Sequence, residues 1–181
     1  MKIMAMRHGQ TDWNAQDRIQ GKTDIPLNET GREQARRAAE LLCTEEKIDV
    51  IISSPLVRAK ETAKAVADRL GLEVFTADAL IERDFGDYEG KQFHEIGCSI
   101  KALRRYTDNL PIQNGETIRE VAERVFAFLD KTVSEYSDKT LLLVTHGHVL
   151  RPISWYFEGI PNNGEEKDIL NENCVIHRYE K

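Results

Sequence analysis

Two arginines and two histidines follow short apolar runs in three separate parts of the chain. Arg7 and His8 end the stretch KIMAMRH, Arg58 lies in SSPLVRA, and His146 ends TLLLVTH. A neutral imidazole is a nucleophile near pH 7 that needs no metal ion, and the planar guanidinium group of arginine matches the oxygens of a phosphate group. A cluster of these side chains would repel itself, whereas a phosphoryl dianion would neutralise it. The residue types therefore indicate a phosphate site with a histidine nucleophile.

Several strands of one sheet would have to deliver these side chains to the same place. The apolar patterns predict five strands, in KIMAM, IDVIIS, EVFTA, TLLLVT and CVIHRY. They alternate with helices predicted in REQARRAAELL, PLVRAKETAKAVADRL, ETIREVAERVFAFLDKTV and HVLRPISWYF. Such alternation is typical of an α/β fold, predicted as a three-layer α/β/α sandwich with a mostly parallel central sheet. Because open α/β sheets bind ligands beyond the carboxyl ends of their strands, we expect the four side chains at that edge.

The helix boundaries follow from residues with special backbone preferences. Ser54 is predicted to cap the helix after the second strand, with Pro55 as its first residue and Gly71 at its end. This boundary places Arg58 in the first turn of the helix. Pro152 fits the last helix only if that helix begins near residue 148.

Further motifs occur in a fixed order between residue 5 and about residue 151. They are RHGQT followed by Asn14, then RIQGKTDIPLNETGREQA, SSPLVRAKETA, LIERDFGDYEG, GET and VTHGHVLRP. Together these motifs resemble the histidine phosphatase superfamily, also called phosphoglycerate mutase-like proteins. The resemblance covers most of the chain. It implies a phosphomonoester hydrolase that acts on a small phosphorylated metabolite through a phosphohistidine, with no metal ion or other cofactor.

The resemblance also implies roles for individual residues. His8 would be the nucleophile that becomes phosphorylated on its ring. Arg7, Arg58 and His146 would form the phosphate pocket with it, and Glu82 in LIERDFGDYEG would be the proton donor. Weaker contacts with the phosphate or the substrate are implied for Asn14, Gln20, Gly21 and Gly147.

The chemistry of phosphoryl transfer agrees with these roles. Stabilising the equatorial oxygens needs positive charge, which the arginines and a protonated His146 would supply. The leaving alkoxide needs a proton, which a carboxyl group can give before it activates water as a base. Asp84, Asp87 and Glu89 are rivals of Glu82 for this role, although each also fits a solvated acidic loop.

His148 stands outside this set of roles. The sequence HGH could supply two metal ligands, so a metal-dependent hydrolase using His8, His146 and His148 is an alternative. Nothing in the spacing requires a metal ion, and we expect no metal site and a substrate-facing or supporting His148. His94 and His177 are expected to be ordinary residues of the lid region and the last strand.

The irregular segment from about residue 83 to residue 115 is predicted to form a small lid. Mutases of the family usually carry longer insertions that exclude water, so a short lid predicts net hydrolysis. Phosphoglycerate mutase-type transfer is the alternative, and a non-catalytic phosphate-binding module is a weaker one because every catalytic role has a candidate. Arg104 and Arg105 are expected on a solvated helix face rather than on a substrate anion, and Glu116 as a helix start or an arginine partner. The aromatic residues near this region are expected in the core rather than at the leaving group: Phe85, Tyr88, Trp155 and Tyr156.

Composition limits the remaining possibilities. The chain of 181 residues suits one domain, 1–181. Its net charge of −6 argues against a nucleic acid partner, and no apolar run is long enough to cross a membrane. Cys43, Cys98 and Cys174 form no disulfide or metal pattern and are expected to act as small apolar residues. Together with the lack of a signal pattern, this predicts a cytoplasmic enzyme for a small-molecule phosphomonoester, as a monomer or a homodimer.

Overall fold

The computed structural model describes residues 1–45, 47–97, 100–161 and 172–180, so Cys98 lies outside the described residues. The strands are β1 Lys2–Arg7, β2 Val50–Ser53, β3 Val74–Thr76, β4 Thr140–Thr145 and β5 Ile176–Glu180. The helices are α1 Asp12–Ala15, α2 Glu29–Glu45, α3 Val57–Leu70, α4 Ile100–Arg104, α5 Ile118–Glu135 and α6 Gly147–Glu158. Three short 3-10 helices lie between β3 and α4, at Asp78–Leu80, Gly86–Tyr88 and Phe93–Glu95.

The five strands form one sheet in the order β3-β2-β4-β1-β5. The pairs β3–β2, β2–β4 and β4–β1 are parallel, and β5 alone runs antiparallel to β1. The predicted mostly parallel sheet is therefore confirmed. Because Ile176 pairs with Met6, the residues that precede β5 lie at the edge where β1 ends.

Alternating side chains on the strands give the sheet two apolar faces. Leu143 of β4 packs in one core with Val125 of α5, whereas Leu142 packs in a second core with Leu42 of α2 and Val66 of α3. Successive strand residues point to opposite faces, so a strand that is apolar throughout must be covered on both sides. This arrangement gives the three layers that the sequence predicts.

Helix α3 begins later than predicted. Its N-cap is Leu56, which has an extended backbone with ψ of 140°, and Ser54 does not cap the helix. The prediction for Ser54 and Pro55 is therefore wrong, because the chain stays extended for one residue beyond the proline. The hydroxyl of Ser54 instead accepts a weak bond from the Leu56 N–H (3.3 Å). Arg58 still lies in the first turn, and Gly71, with φ of 66°, still ends the helix.

Helix α6 begins at Gly147, close to the start near residue 148 that Pro152 requires, and Pro152 lies inside it, where the ring leaves one helical hydrogen bond unmade. Two other features differ from the sequence predictions. Strand β5 begins two residues after Cys174, because that residue has φ of 58° and cannot be part of an extended strand. The short helix α1 was not predicted, and the hydroxyl of Thr11 caps it by accepting from the Asn14 N–H.

The irregular segment after β3 is held down by a buried arginine and a small apolar cluster. Arg83 donates through Nε to the Glu116 carbonyl (2.7 Å) and through its terminal nitrogens to the carbonyls of Leu103 and Leu110. The cluster consists of Ile19, Phe85, Ile96, Leu103 and Ile112. Among the described residues, no helix is both long and apolar enough to span a membrane.

Candidate active site

A cavity of about 290 Å³ lies at the carboxyl edge of the sheet. Arg7 and His8 reach it from the end of β1, and Arg58 reaches it from the first turn of α3. The other predicted site residues that line it are Asn14, Gln20, Gly21, Glu82 and Gly147. His146 is fully buried behind the lining, and the centroid of its ring lies 5.1 Å from that of His8. The structure thus brings every predicted site residue to one place.

The ring of His8 is oriented by its own backbone. Its Nδ1 lies 2.6 Å from the carbonyl oxygen of Gly9. A carbonyl only accepts hydrogen bonds, so Nδ1 must carry the proton. The neutral ring therefore keeps the lone pair of a nucleophile on Nε2, the nitrogen farther from the backbone.

The turn after β1 requires glycine because two backbones meet there. A Cβ added at Gly9 would lie 2.3 Å from the Gly31 carbonyl oxygen, and one added at Gly31 would lie 2.0 Å from the Gln10 carbonyl oxygen. Only two residues without side chains allow α2 to approach the turn so closely. The glycine of RHG and the glycine of NETGRE therefore serve the same contact.

The surroundings of His8 keep its imidazole neutral. Burial is the largest effect, and the charges of Arg58 and Arg7 act in the same direction, so the pKa of His8 lies well below its usual value. The hydrogen bond to Gly9 opposes this shift only weakly. At neutral pH the ring is consequently available as a nucleophile.

Arg58 is fixed by two carbonyls of the loop that carries Gly21. Its terminal nitrogens donate to the carbonyls of Gly21 (2.7 Å) and Thr23 (2.9 Å). The Nε of Arg58 is buried without a hydrogen-bond partner among the described residues. Burial lowers the pKa of Arg58 to about 10, so the guanidinium stays charged at neutral pH. A buried cation with an unused N–H donor is suited to an anion.

His146 binds Ser54 and not the main chain. Its Nε2 lies 2.8 Å from the Ser54 hydroxyl, and its Nδ1 is buried without a partner among the described residues. Burial and the charge of Arg58 hold the pKa of His146 well below its usual value. His146 is therefore neutral in the protein alone, and the protonated form expected during phosphoryl transfer requires a phosphate dianion beside the ring, which would raise this pKa.

Glu82 is buried beside His148. One carboxylate oxygen accepts from the Arg83 N–H (2.9 Å), and the other lies 3.9 Å from Nδ1 of His148. Burial alone raises the pKa of Glu82, but His148, His146 and the Arg83 N–H outweigh it and hold this pKa well below the usual value. Glu82 is therefore a carboxylate in the protein alone.

The rival acids have other partners. Asp84 pairs with Lys22 (3.1 Å), and Asp87 accepts from the Asn114 amide (3.1 Å). Glu89 accepts from the N–H groups of Lys22 and Thr23, and so holds the loop at Gly21 in place. Of the four candidate acids only Glu82 lines the cavity.

The fifth acidic residue considered in the sequence is also structural. Glu116 pairs with Arg124 (3.0 Å), which is the arginine partnership expected for it.

His148 lines the cavity next to Glu82 and packs edge-on against Phe85, with ring centroids 4.8 Å apart. Burial lowers the pKa of His148 to about 3 against the opposing effect of Glu82. Across the described ranges, no group of three or more His, Cys, Asp and Glu residues is arranged to hold a metal ion. The nitrogens of His8 and His146 that have partners bind the Gly9 carbonyl and the Ser54 hydroxyl.

Part of the cavity lining was not predicted from the sequence. Arg104 lines it, whereas Arg105 is exposed and pairs with Asp108 (3.2 Å), so the expected solvated face holds for Arg105 alone. Of the four aromatic residues considered, only Phe85 is a lining residue. The lining residues that sequence reasoning did not consider are Gln10, Asp17, Arg18, Ile19, Phe93 and Asn173. No spacing pattern identifies them, because they come from turns, a short 3-10 helix and the chain before β5.

Comparison with known proteins places this site in a family context. A model of the histidine phosphatase superfamily (branch 1) matches residues 3–180. The uncharacterized phosphatase PhoE of Bacillus subtilis is 40% identical over 151 residues, which are 83% of this chain and 74% of that protein. The phosphoglycerate mutase-like protein 4 of Arabidopsis thaliana is 36% identical and covers 98% of this chain and 79% of its own.

Solved structures have the same fold. A mycobacterial glucosyl-3-phosphoglycerate phosphatase in complex with VO3 superimposes with a TM-score of 0.80 and 32% identity. The match covers 88% of this chain and 83% of that one. The whole-chain matches therefore agree with the motifs and with the parallel sheet, since all of them indicate the same family.

Proposed function

Because this chain belongs to branch 1 of the histidine phosphatase superfamily, we infer that it is a phosphomonoester hydrolase. We assign the nucleophile to His8 and the substrate to the class of small phosphorylated metabolites. The observation that carries this assignment is the hydrogen bond from His8 Nδ1 to Gly9 O (2.6 Å), because it leaves Nε2 as the nucleophile beside Arg58 and Arg7.

The first chemical step transfers the phosphoryl group to the enzyme. Nε2 of His8 attacks phosphorus, and the bond from phosphorus to the ester oxygen breaks with its electron pair left on that oxygen. Arg7 and Arg58 balance the charge on the equatorial oxygens, and the unpartnered Nδ1 of His146 is available to the same group. A phosphohistidine and the free alcohol result.

Glu82 must hold a proton to protonate the leaving oxygen. In the protein alone Glu82 is a carboxylate. When a phosphate dianion is bound nearby, Glu82 takes up a proton, because a like charge raises the pKa of a buried carboxyl group. The substrate monoanion can bring this proton, since the second pKa of a phosphate ester is about 6. Glu82 then passes the proton to the ester oxygen.

Water completes the cycle. The Glu82 carboxylate takes a proton from a water molecule, whose oxygen attacks phosphorus as the bond to Nε2 breaks. Inorganic phosphate leaves, and His8 returns to the neutral form that its surroundings favour. We assign the lid to about residues 83–115, and its small size supports water as the acceptor over a second phosphoglycerate-like molecule.

The proposal also covers the domain organisation, the location and the partners of the enzyme. We assign residues 1–181 to one catalytic domain that works in the cytoplasm on a small-molecule phosphomonoester. The acidic net charge of −6 is evidence against nucleic acid as the partner. Both a monomer and a homodimer are compatible with a cavity lined by one chain.

An aryl phosphate assay in the presence of a chelator tests the proposed function. Hydrolysis of p-nitrophenyl phosphate should survive the chelator and fall by on the order of 10⁴-fold in His8→Ala. Rapid quenching in base and 31P NMR should detect a phosphoenzyme that is stable in base and is lost when the sample is then acidified.

Three results would overturn these assignments. Undiminished hydrolysis in His8→Ala would exclude His8 as the nucleophile, and an acid-stable phosphoenzyme would indicate a different residue type. Inhibition by the chelator would favour the metal-dependent alternative. A bisphosphate primer added with phosphoglycerate tests the mutase alternative, which predicts isomerised monophosphate in place of free phosphate.

A further inference from the structure

The peptide unit between His8 and Gly9 is held at both of its polar ends by side chains distant in sequence. Its carbonyl, on His8, accepts from Nδ2 of Asn173 at 2.6 Å. Its N–H, on Gly9, donates to the hydroxyl of Thr62 at 3.0 Å. The hydroxyl of Thr62 in turn donates to the Arg58 carbonyl at 2.7 Å. The two bonds together fix the plane of this peptide.

That plane determines where the nucleophile points. The Gly9 carbonyl, which accepts from the His8 ring, belongs to the next peptide unit and is joined to the His8–Gly9 peptide through the Gly9 Cα, so its position depends in part on the orientation of that peptide. Rotation of the peptide would move the acceptor away from Nδ1 and release both the ring and its tautomer. The hydrogen bond that makes Nε2 the nucleophile therefore depends on the two side chains.

Asn173 reaches this place because β5 is antiparallel. The residues before an antiparallel strand lie at the edge where its parallel neighbours end, and the Cys174 N–H accordingly donates to the Arg7 carbonyl (3.0 Å). Asn173 is half-buried and lines the cavity. Because a carbonyl accepts only, the atom of Asn173 that faces His8 must be the amide nitrogen.

We propose that Asn173 and Thr62 are positioning residues that clamp the His8–Gly9 peptide and thereby set the ring orientation and tautomer of His8. The proposal rests on the proposed role of His8 as nucleophile. Neither side chain exchanges a proton or forms a covalent bond in the reaction. Loss of either one should slow phosphorylation of His8 and leave the arginines that bind the phosphate in place.

Isosteric variants test the clamp. Asn173→Asp keeps the shape and removes the N–H donor, and Thr62→Val keeps the shape and removes the hydroxyl. For Thr62→Val and for the uncharged Asn173→Ala, kcat on p-nitrophenyl phosphate should fall by about tenfold to a hundredfold, with KM within about twofold. Thr62→Ser keeps the hydroxyl and should retain most of the activity. Glu172→Gln, a change at the exposed neighbour of Asn173, is the matched control and should behave like the unchanged protein.

A double-variant cycle tests whether both residues hold one peptide. Asn173→Ala with Thr62→Val should lose little more than the worse single variant, because the peptide is already released by one change. Losses that multiply would overturn the shared clamp. A raised KM with unchanged kcat in Asn173→Ala would also overturn it, since that pattern indicates a substrate contact.

The tautomer of His8 gives a readout that does not depend on turnover. In 15N NMR spectra the unchanged protein should show the Nδ1–H form alone, and Asn173→Asp should show a mixture of tautomers. Asn173→Ala removes the same donor without adding a charge and replaces Asn173→Asp if that variant does not fold. An unchanged tautomer in a folded variant would refute the clamp. If the unchanged protein hydrolyses no phosphomonoester, the proposed function fails, whereas these spectra still decide the positioning of His8.

Discussion

The two ends of the cavity are built from different kinds of structure. The end proposed to bind the phosphate, here called the phosphate end, consists of Arg7, His8, Arg58 and His146, which end or follow strands or lie in the first turn of α3. His8, Arg58 and His146 are buried, and each is held by a hydrogen bond to a main-chain carbonyl or to Ser54. Its geometry is therefore determined by the sheet.

The other end, which we propose faces the alcohol of the substrate and call the leaving-group end, consists of side chains from turns, short helices and α4: Asp17, Arg18, Phe85, Phe93 and Arg104. Asp17 and Arg18 are exposed, and Phe93 is 40% exposed. Arg18 is held by the Gly90 carbonyl (3.2 Å), which itself belongs to a turn. This end is carried by surface segments that the sheet does not fix.

This difference between the two ends indicates that one end carries out phosphoryl transfer and the other selects the alcohol of the substrate. Phosphoryl transfer requires reacting groups held within fractions of an ångström, which strand ends and their backbone hydrogen bonds provide. Recognition of the alcohol requires only complementary side chains, and surface turns can change these without disturbing the sheet. Changes at the phosphate end should thus affect every ester, and changes at the leaving-group end should affect only some.

Among changes that keep the nucleophile His8, the largest effect is expected for Arg58. Arg58→Met removes a buried charge that faces the phosphate, so kcat/KM should fall by about a thousandfold or more for aryl and alkyl esters alike. Steady-state assays on p-nitrophenyl phosphate and ethyl phosphate measure this. A loss confined to one ester would contradict the division into two ends.

The next effect is on stability, because acid should lower the free energy of unfolding of the protein. The pKa values of His8, His146 and His148 are lowered by burial, so each takes up a proton on unfolding below pH 6.5, and stability is lost as the pH falls. Between pH 6.5 and 5.5 the loss should be about 1 kcal/mol for each histidine. Urea unfolding at the two pH values measures the sum, and inorganic phosphate should reduce it. An equal free energy of unfolding at both pH values would exclude neutral buried histidines.

A change at Glu82, the proposed acid, should discriminate between esters by their leaving group. Glu82→Gln cannot give up a proton, so the first step, measured as release of ethanol from ethyl phosphate in a single turnover, should slow by about a hundredfold or more. The same step with p-nitrophenyl phosphate, whose leaving group needs no proton, should slow far less. Equal losses on both esters would remove Glu82 from the role of acid.

The smallest effect is expected at Arg104. Arg104→Ala should leave hydrolysis of phenyl phosphate within about twofold, and should raise KM by about tenfold for an ester whose alcohol carries a carboxylate. Arg105→Ala, which changes an exposed residue paired with Asp108, is the matched control. A uniform loss for Arg104→Ala on all esters would place Arg104 at the phosphate end instead.

The sequence predicted the phosphate end better than its surroundings. The apolar runs before Arg7 and His146 predict buried strands, and parallel strands must present their carboxyl ends at one edge, so those residues could be found without coordinates. Ser54 shows the limit of local reasoning. It was predicted as a cap from its position before a proline, whereas in the structure it contacts His146, a residue 92 positions away.

The leaving-group end and Asn173 depend on long-range packing. Phe85 and Arg104 come from an irregular segment with no periodic pattern, so their exposure to the cavity depends on how Arg83 ties that segment down. Asn173 joins the site because β5 pairs antiparallel with β1. No local propensity specifies the direction of an edge strand.

The sequence by itself determined the α/β class, the candidate nucleophile and the candidate charges for phosphate binding, because each depends on residue type and on patterns within a few residues. Only the tertiary structure decided which carboxylate faces the cavity, that His8 carries its proton on Nδ1, and that Asn173 and Thr62 hold its peptide. These depend on hydrogen bonds between residues up to 165 positions apart, whose geometry exists only once the sheet and its helices have packed.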